Sequence, residues 1–220
     1  MKKNSELKNI ALAALKDNWA PALVASIVIT TAISIVMSPG YCANMALYGM
    51  WPFTEIKPSM VSVLSNVGVV TNIFLLYPLM LGYAVAHKEL LAVEDISLTA
   101  NSFRYAFTGY LKNVLAMFLV YVLTILWSLL LIVPGIIKGL SYSLTPYIIK
   151  DYPELSANQA IDLSVKMMKG HKAKLFWLWL SFTGWFLLSM LTLGIGLLWL
   201  LPYMQTTFAA FYLDIKADFN

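Results

Sequence analysis

A chain with one cysteine, Cys42, can form no internal disulfide, and the Pro39-Gly-Tyr41 ahead of it is no lipoprotein processing site. Charge is scarce as well. Asp, Glu, Lys and Arg make up 12% of the 220 residues against 60% hydrophobic ones, and the mean hydropathy is +0.75. That balance leaves too little polar surface for a water-soluble domain, so the expectation is an integral membrane protein with one membrane domain, residues 1–220. No Asp or Glu falls in the interior of a long apolar run, which removes the buried carboxylate that proton-coupled transport normally uses. HExxH, GxSxG, the phosphate-binding GxxxxGK and any cysteine pair are missing too. The two histidines, His87 and His171, sit at the ends of apolar runs with no third ligand nearby in sequence, so no metal site is expected. No cofactor and no catalytic residue are expected either.

What is present is hydrophobic periodicity. An all-α, polytopic fold follows, with spans at about 19–38, 60–86, 113–133, 136–150, 174–192 and 195–214. Met1 to Asn18, with Leu7, Ile10, Ala11 and Ala14 at helical spacing among lysines, is expected as a short interfacial helix. The first span is too long and too poor in cleavage signals for a secretory signal peptide. Tyr41 to Ser59, with Trp51, Pro52, Phe53 and Pro58, is expected as a loop along the membrane surface. The second span is long enough that it must tilt, bend at Pro78 or project. In the segment from His87 to Lys112, Phe103, Ala106, Phe107, Tyr110 and Leu111 oppose Asn101, Arg104, Thr108 and Lys112, so the first set is expected to be the apolar face. Pro134-Gly135 is a turn signal, and Ile136 to Lys150 is short for a full crossing. Ser156-Ala-Asn-Gln159 is a capping box. It should start a helix with Asn158, Asp162, Lys166 and Lys169 toward water, Ala160, Ile161, Val165 and Met168 toward oil, and a stop at Gly170. Leu193-Gly-Ile-Gly196 leaves room only for a hairpin turn.

Six spans put both termini on one side, and thirteen of the fifteen Lys and Arg residues collect there, leaving Lys57 and Lys138 opposite. The positive-inside bias makes that side cytoplasmic. The pI near 9.0 therefore reflects lysines at span ends, which meet anionic lipid headgroups, and not nucleic-acid binding. The six spans read as three hairpins, each preceded by a cytoplasmic amphipathic helix. Ser141-Tyr-Ser-Leu-Thr-Pro-Tyr147 can be laid on Pro202-Tyr-Met-Gln-Thr-Thr-Phe208, and Tyr77-Pro-Leu-Met80 on Leu201-Pro-Tyr-Met204. These overlaps point to a threefold parallel pseudo-repeat about an axis along the membrane normal. The competing reading is that any three amphipathic helices with hairpins look alike at this level.

Leu131-Ile-Val-Pro-Gly-Ile-Ile-Lys138, Tyr142-Ser-Leu-Thr-Pro-Tyr147, Asp151, Pro153-Glu-Leu-Ser156, Met168-Lys-Gly-His-Lys172, Leu193-Gly-Ile-Gly196 and Pro202-Tyr203 together resemble a bacterial membrane family, domain of unknown function 975. That family is distantly similar to the membrane domain of some glycerophosphodiester phosphodiesterases. The resemblance is dense from about residue 110 to 215. It implies a six-helix inner-membrane protein with no established activity, so no catalytic residue is carried over.

Polar residues inside spans are the candidate pocket or lipid contacts. In the second span Ser62, Ser65, Asn66 and Asn72 form a polar stripe, the fourth offers Ser141, Tyr142 and Thr145, and the sixth offers Tyr203, Gln205, Thr206 and Thr207. Two uses are open: hydrogen bonds between helices, or the lining of a cavity. Lys138 either snorkels to the outer headgroups or meets a lipid phosphate. The reading that follows is a non-enzymatic inner-membrane protein acting through membrane lipids, a protein partner or further copies of itself. The alternative is a small transporter or lipid-handling protein with a polar intramembrane pocket.

Overall fold

The computed structural model describes residues 1–47, 58–92 and 97–219, and among these residues the fold is all-helical, without a strand. Helix α1 (Asn4–Leu15) starts where the Lys3 backbone N–H donates to Glu6 Oε2 at 2.9 Å. It buries Leu7 and Ala11 of the expected stripe, and Leu15 beside them, while Ile10 and Ala14 are half-buried. A turn of 96° leads into the next helix, so α1 lies nearly at a right angle to the first long helix.

Helix α2 (Trp19–Leu47) overturns the boundary expected at Ser38: the chain stays helical through Pro39-Gly40 and through Tyr41–Leu47, assigned above to a loop. In an apolar run, leaving the helix would expose backbone groups with no water to receive them, a larger loss than the one hydrogen bond that Pro39 removes. Residues 48–57 of that loop, with Trp51, Pro52 and Phe53, lie outside the described residues, and its last two, Pro58 and Ser59, already belong to the next helix.

The second apolar run is helix α3 (Pro58–Thr71), a π-helical stretch from Asn72 to Leu76, and helix α4 (Tyr77–Glu89). The widened turn directly precedes Pro78, which lacks a backbone N–H and cannot continue the regular ladder. The helix also runs past Ala86 and takes in His87 and Lys88, both buried.

Helix α5 (Leu98–Phe107) is amphipathic, but its packed face is rotated from the expected one: of the expected residues Ala106 is buried, Phe103 is half-buried and Phe107 is exposed, as is Leu111 beyond the helix, while Leu98 and Ser102 are buried instead. The cause is the close approach of α4. A Cβ on Gly82 would lie 2.0 Å from Ser102 O and 2.7 Å from the Ala106 backbone nitrogen, so only small residues fit that seam and the large rings turn outward.

Gly109, at φ 68°, turns the chain into helix α6 (Tyr110–Leu130), which begins before the expected Asn113. The turn predicted at Pro134-Gly135 falls at Leu131 instead, in extended conformation, and helix α7 (Ile132–Tyr142) carries Pro134 in its first turn, where a missing N–H costs nothing. Gly135 serves the packing of the hairpin, since a Cβ there would come within 2.2 Å of Ser128 Oγ. Helix α8 (Thr145–Asp151) completes the short fourth segment after a break that places Pro146 in its first turn. That segment is therefore a broken helix.

Helix α9 (Ala157–Met167) opens on the predicted capping box, with the Ser156 N–H donating to Gln159 Oε1 at 2.8 Å and the Gln159 N–H to Ser156 Oγ at 3.4 Å. Ala160, Ile161 and Met168 are buried, Asn158, Asp162, Lys166 and Lys169 are exposed, and Gly170 at φ 85° ends the turn. Helices α10 (Lys172–Leu180) and α11 (Thr183–Leu191) follow, separated by a short break. Leu193 and Gly194, at φ 52° and 86°, form the expected hairpin into helix α12 (Leu197–Phe219).

By length and composition, Asn66–Glu89, Tyr110–Leu130 and Lys172–Leu191 are long and apolar enough to cross a membrane, and a fourth crossing exists if α1 and the first part of α2 count as one bent span. Helices α7 and α8 are each too short alone, and α12 dilutes its apolar run with Pro202, Tyr203, Gln205, Thr206, Thr207 and Asp214. The surface is most apolar at the α6–α7 hairpin, where Leu129, Leu130, Leu131 and Ile132 are 68–78% exposed. The core is continuous between α1, α4, α8, α9 and α12, with Leu7, Val85, Ile148, Ala160, Phe211 and Tyr212 almost fully buried.

Candidate functional site

Three features of the bundle are organised beyond simple packing. The first is an ionic cluster centred on Asp151, at the C-terminal end of α8. Lys88, from the end of α4, donates to Asp151 Oδ1 and also lies 3.3 Å from Glu89 Oε1. Tyr212 OH donates to Asp151 Oδ2 at 2.8 Å, and Lys216 Nζ lies 2.6 Å from the same oxygen. Three elements thus converge on one carboxylate whose side chain is 10% exposed. Burial works against the Asp151 charge, but the hydrogen bonds from Lys216, Lys88 and Tyr212 together outweigh it, and the carboxyl is held below its ordinary value. Nearby, Tyr147 and Tyr212 stack with centroids 4.9 Å apart.

The same end of the molecule gathers the chain termini. The Met1 amino group lies 3.6 Å from Asp218, the Lys2 N–H donates to Asp214 Oδ2 at 2.9 Å, and Lys174 Nζ lies 3.4 Å from that carboxylate.

The second feature is a cleft of about 460 Å³ beside this cluster, between the end of α4, the α5–α6 turn and the end of α8, with Lys88, Lys112, Lys150, Glu89 and Asp151 among its walls. Asn113 lines it and is almost fully buried. Its Nδ2 donates to the carbonyls of Tyr105, Ala106 and Thr108 at 3.1, 2.8 and 3.0 Å, closing the α5–α6 turn.

The third feature is a cavity of about 390 Å³ between α4, α6, α7, α8, α10 and α12. Leu81, Ala84, Met117, Leu140, Leu144 and Phe208 are among its walls, and Ser143 and Gln205 add polar groups. Its size lies within the range of small-ligand sites.

The residues singled out from the sequence do not come together at one place. Ser62 and Asn66 are exposed on α3. Asn72 falls in the π-helical stretch. Lys138 is half-buried, with Nζ 4.4 Å from the Trp127 ring centroid. Tyr142 and Thr145 are buried, and Thr145 Oγ1 has no partner among the described residues. Tyr203 packs edge-on against Phe182 at 5.3 Å and lines a separate apolar groove with Trp19, Trp185 and Trp199. Among the described residues of the set, Gln205 alone lines the cavity. Thr206 donates to Pro202 O at 2.8 Å, Thr207 to Tyr203 O at 2.7 Å and Ser141 to Ile137 O at 2.7 Å, so each of these hydroxyls spends its donor on its own helix.

A family model described as "Protein of unknown function (DUF975)" matches residues 54–218. The chain belongs to this family. No curated protein and no solved structure matches it.

The site residues that sequence reasoning missed in this DUF975 protein are Lys88, Lys112, Lys150, Asp151, Tyr212 and Lys216. In the sequence the lysines read as markers of orientation and general headgroup contacts, and not as members of one site. A signal existed in the overlap of 141–147 on 202–208: extended by four residues, it lays Asp151 on Tyr212, 61 residues apart, and these two side chains are hydrogen-bonded.

Proposed function

We propose that this DUF975 protein is a non-enzymatic integral protein of the bacterial cytoplasmic membrane that acts by binding, with a membrane lipid as the occupant of the cavity between α4, α6 and α12. The observation that carries this reading is the cavity wall: Leu81, Ala84, Met117, Leu140 and Phe208 offer an acyl chain an apolar surface, with few polar groups. The in-span hydroxyls add weight, because Ser141, Thr206 and Thr207 are already satisfied along their own helices. Transport through a polar pocket has less support, since Ser62 and Asn66 lie exposed on α3 and not in the cavity. The full chain, purified in detergent, is expected to retain about one lipid per molecule by quantitative lipid mass spectrometry. Ala84→Phe and Leu140→Trp, which fill the cavity, are each expected to reduce that content at least about twofold. Unchanged lipid content in both folded variants would overturn the reading.

The architecture belongs to the same proposal: six crossings, both termini cytoplasmic, and three parallel copies of an amphipathic helix followed by a hairpin. A 61-residue step supports the last two copies. It relates left-handed Gly109 to left-handed Gly170, and it relates the Ser128/Gly135 contact to the Ser189/Gly196 contact, where added Cβ atoms would meet the serine Oγ at 2.2 and 2.8 Å. Both serines donate to the carbonyl four residues back, at 2.8 Å. Carrying the overlap of Tyr77–Met80 on Leu201–Met204 forward places Lys88 on Tyr212, hence also on Asp151. The three equivalent residues meet in one cluster, and equivalent points of three copies touch one another only close to the axis that relates them.

A further inference from the structure

Across the cleft at the lysine-rich end, two lysines reach in opposite directions. Lys150, from α8, donates through Nζ to Thr108 O at 2.6 Å, and Lys112, from the first turn of α6, donates back to Pro153 O at 2.8 Å. Both are half-buried. Each ammonium carries three donors and spends one on the recorded carbonyl bond, and among the described residues neither has a carboxylate within 4 Å. The cleft's own carboxylates are engaged elsewhere, Asp151 by Lys88, Lys216 and Tyr212, and Glu89 by Lys88. We propose that Lys112 and Lys150 bind a phosphate group in this cleft, either the phosphodiester of an anionic inner-leaflet lipid or free phosphate.

The chemistry fits at three points. Two like charges held in one cleft, neither paired with a carboxylate among the described residues, favour an anion, and the spare ammonium donors match phosphate oxygens. Asn113 Oδ1, buried at the cleft wall without a partner among the described residues, is an acceptor that a headgroup hydroxyl would satisfy. The position fits as well. Lys88, Asn113 and Asp151 in the cleft wall each stand four residues, about one helical turn, toward the lysine-rich end from Ala84, Met117 and Tyr147 in the cavity wall. A lipid with its tail in the cavity would carry its phosphate at this level. Only the lipid form of the inference rests on the lipid-binding reading, and free phosphate does not need it.

Native mass spectrometry of the detergent-purified full chain, titrated with dioleoyl phosphatidylglycerol, dioleoyl phosphatidylcholine and inorganic phosphate, tests the site. Lys112→Gln and Lys150→Gln are each expected to weaken phosphatidylglycerol binding roughly fivefold, and together roughly 25-fold. Phosphatidylcholine, whose choline offsets its phosphate, should change far less. Displacement of phosphatidylglycerol by excess inorganic phosphate would assign the site to free phosphate, and no displacement would assign it to the lipid phosphodiester. Folding is checked by circular dichroism and gel filtration, and should the double variant not fold, the single variants carry the test. Wild-type affinity for both phosphatidylglycerol and inorganic phosphate in folded lysine variants would overturn the inference. The failure of the lipid-binding reading is distinguishable, because Ala84→Phe and Leu140→Trp would then leave all lipid binding unchanged while the lysine variants still altered phosphate binding.

Discussion

At the lysine-rich end of the bundle, Asp151 joins α4, α8 and α12 through Lys88, Tyr212 and Lys216, and the two chain ends are tied to α12 and α10 by further charged contacts. At the opposite end the hairpins at Leu131 and Leu193 expose leucine and isoleucine, and no ion pair occurs there among the described residues. The hairpins are closed instead by small residues, Gly135 against Ser128 and Gly196 against Ser189, with backbone-directed serine hydroxyls. Long charged side chains cross between helices where lysines and carboxylates gather, and leave their tips partly solvated. At the hairpin end the side chains are apolar, and the helices approach through glycine and serine instead.

The largest expected effect that sharpens this contrast is at the ionic end. Asp151→Asn strands buried Lys88 and half-buried Lys216 without their shared counter-ion, and removing one partner of a buried pair costs about 3–5 kcal/mol. Glu89 beside Lys88 brings the expectation to the lower end of that range. The measurement is thermal or denaturant unfolding in detergent. A loss well under 1 kcal/mol would mean that the cluster is not what holds this end together.

The pH dependence has a defined sign. Because the folded Asp151 carboxyl titrates below its unfolded value, the unfolded state takes up the proton first as pH falls. The stabilisation is therefore fully present above the ordinary carboxylate value of about 4 and is lost as pH drops through the lower folded value. The stability gap between wild type and Asp151→Asn should be constant from neutral pH down to about 5 and narrow below about 4. A gap that instead narrowed above pH 5 would contradict the assignment.

The smallest effect is expected for Lys138, on α7. Its ammonium over the Trp127 ring makes one partly exposed contact, so Lys138→Met should change stability by about 0.5–1 kcal/mol at most and leave lipid content unaltered. A clear fall in co-purifying lipid would give Lys138 a binding role that the Trp127 contact alone does not account for.

The parts of this architecture that were legible in the sequence are those encoded within a few residues. The Ser156/Gln159 capping box, the stripe of Leu7 and Ala11, the stop at Gly170 and the turn at Leu193-Gly194 all stand where local chemistry places them. Boundaries set by the apolar surroundings were not legible, as the helical passage through Pro39-Gly40 shows. Nor was the face of α5, which depends on Gly82 of a neighbouring helix admitting nothing larger than Ser102 and Ala106. The ionic cluster escaped for the same reason, since its bonds join residues 61 to 65 positions apart, and each lysine alone looks like any other residue at a span end.

The central proposal is that the lysine-rich end, with both chain termini, faces the cytoplasm while the Leu193 hairpin faces outward. Single cysteines placed at Lys2, Leu193 and Asp218 on a Cys42→Ser background, probed with a membrane-impermeant thiol reagent in intact cells and in inverted vesicles, test it most directly. The account predicts labelling at 193 from outside only and at 2 and 218 from the cytoplasmic face only. Labelling of positions 2 and 218 from opposite faces would contradict it.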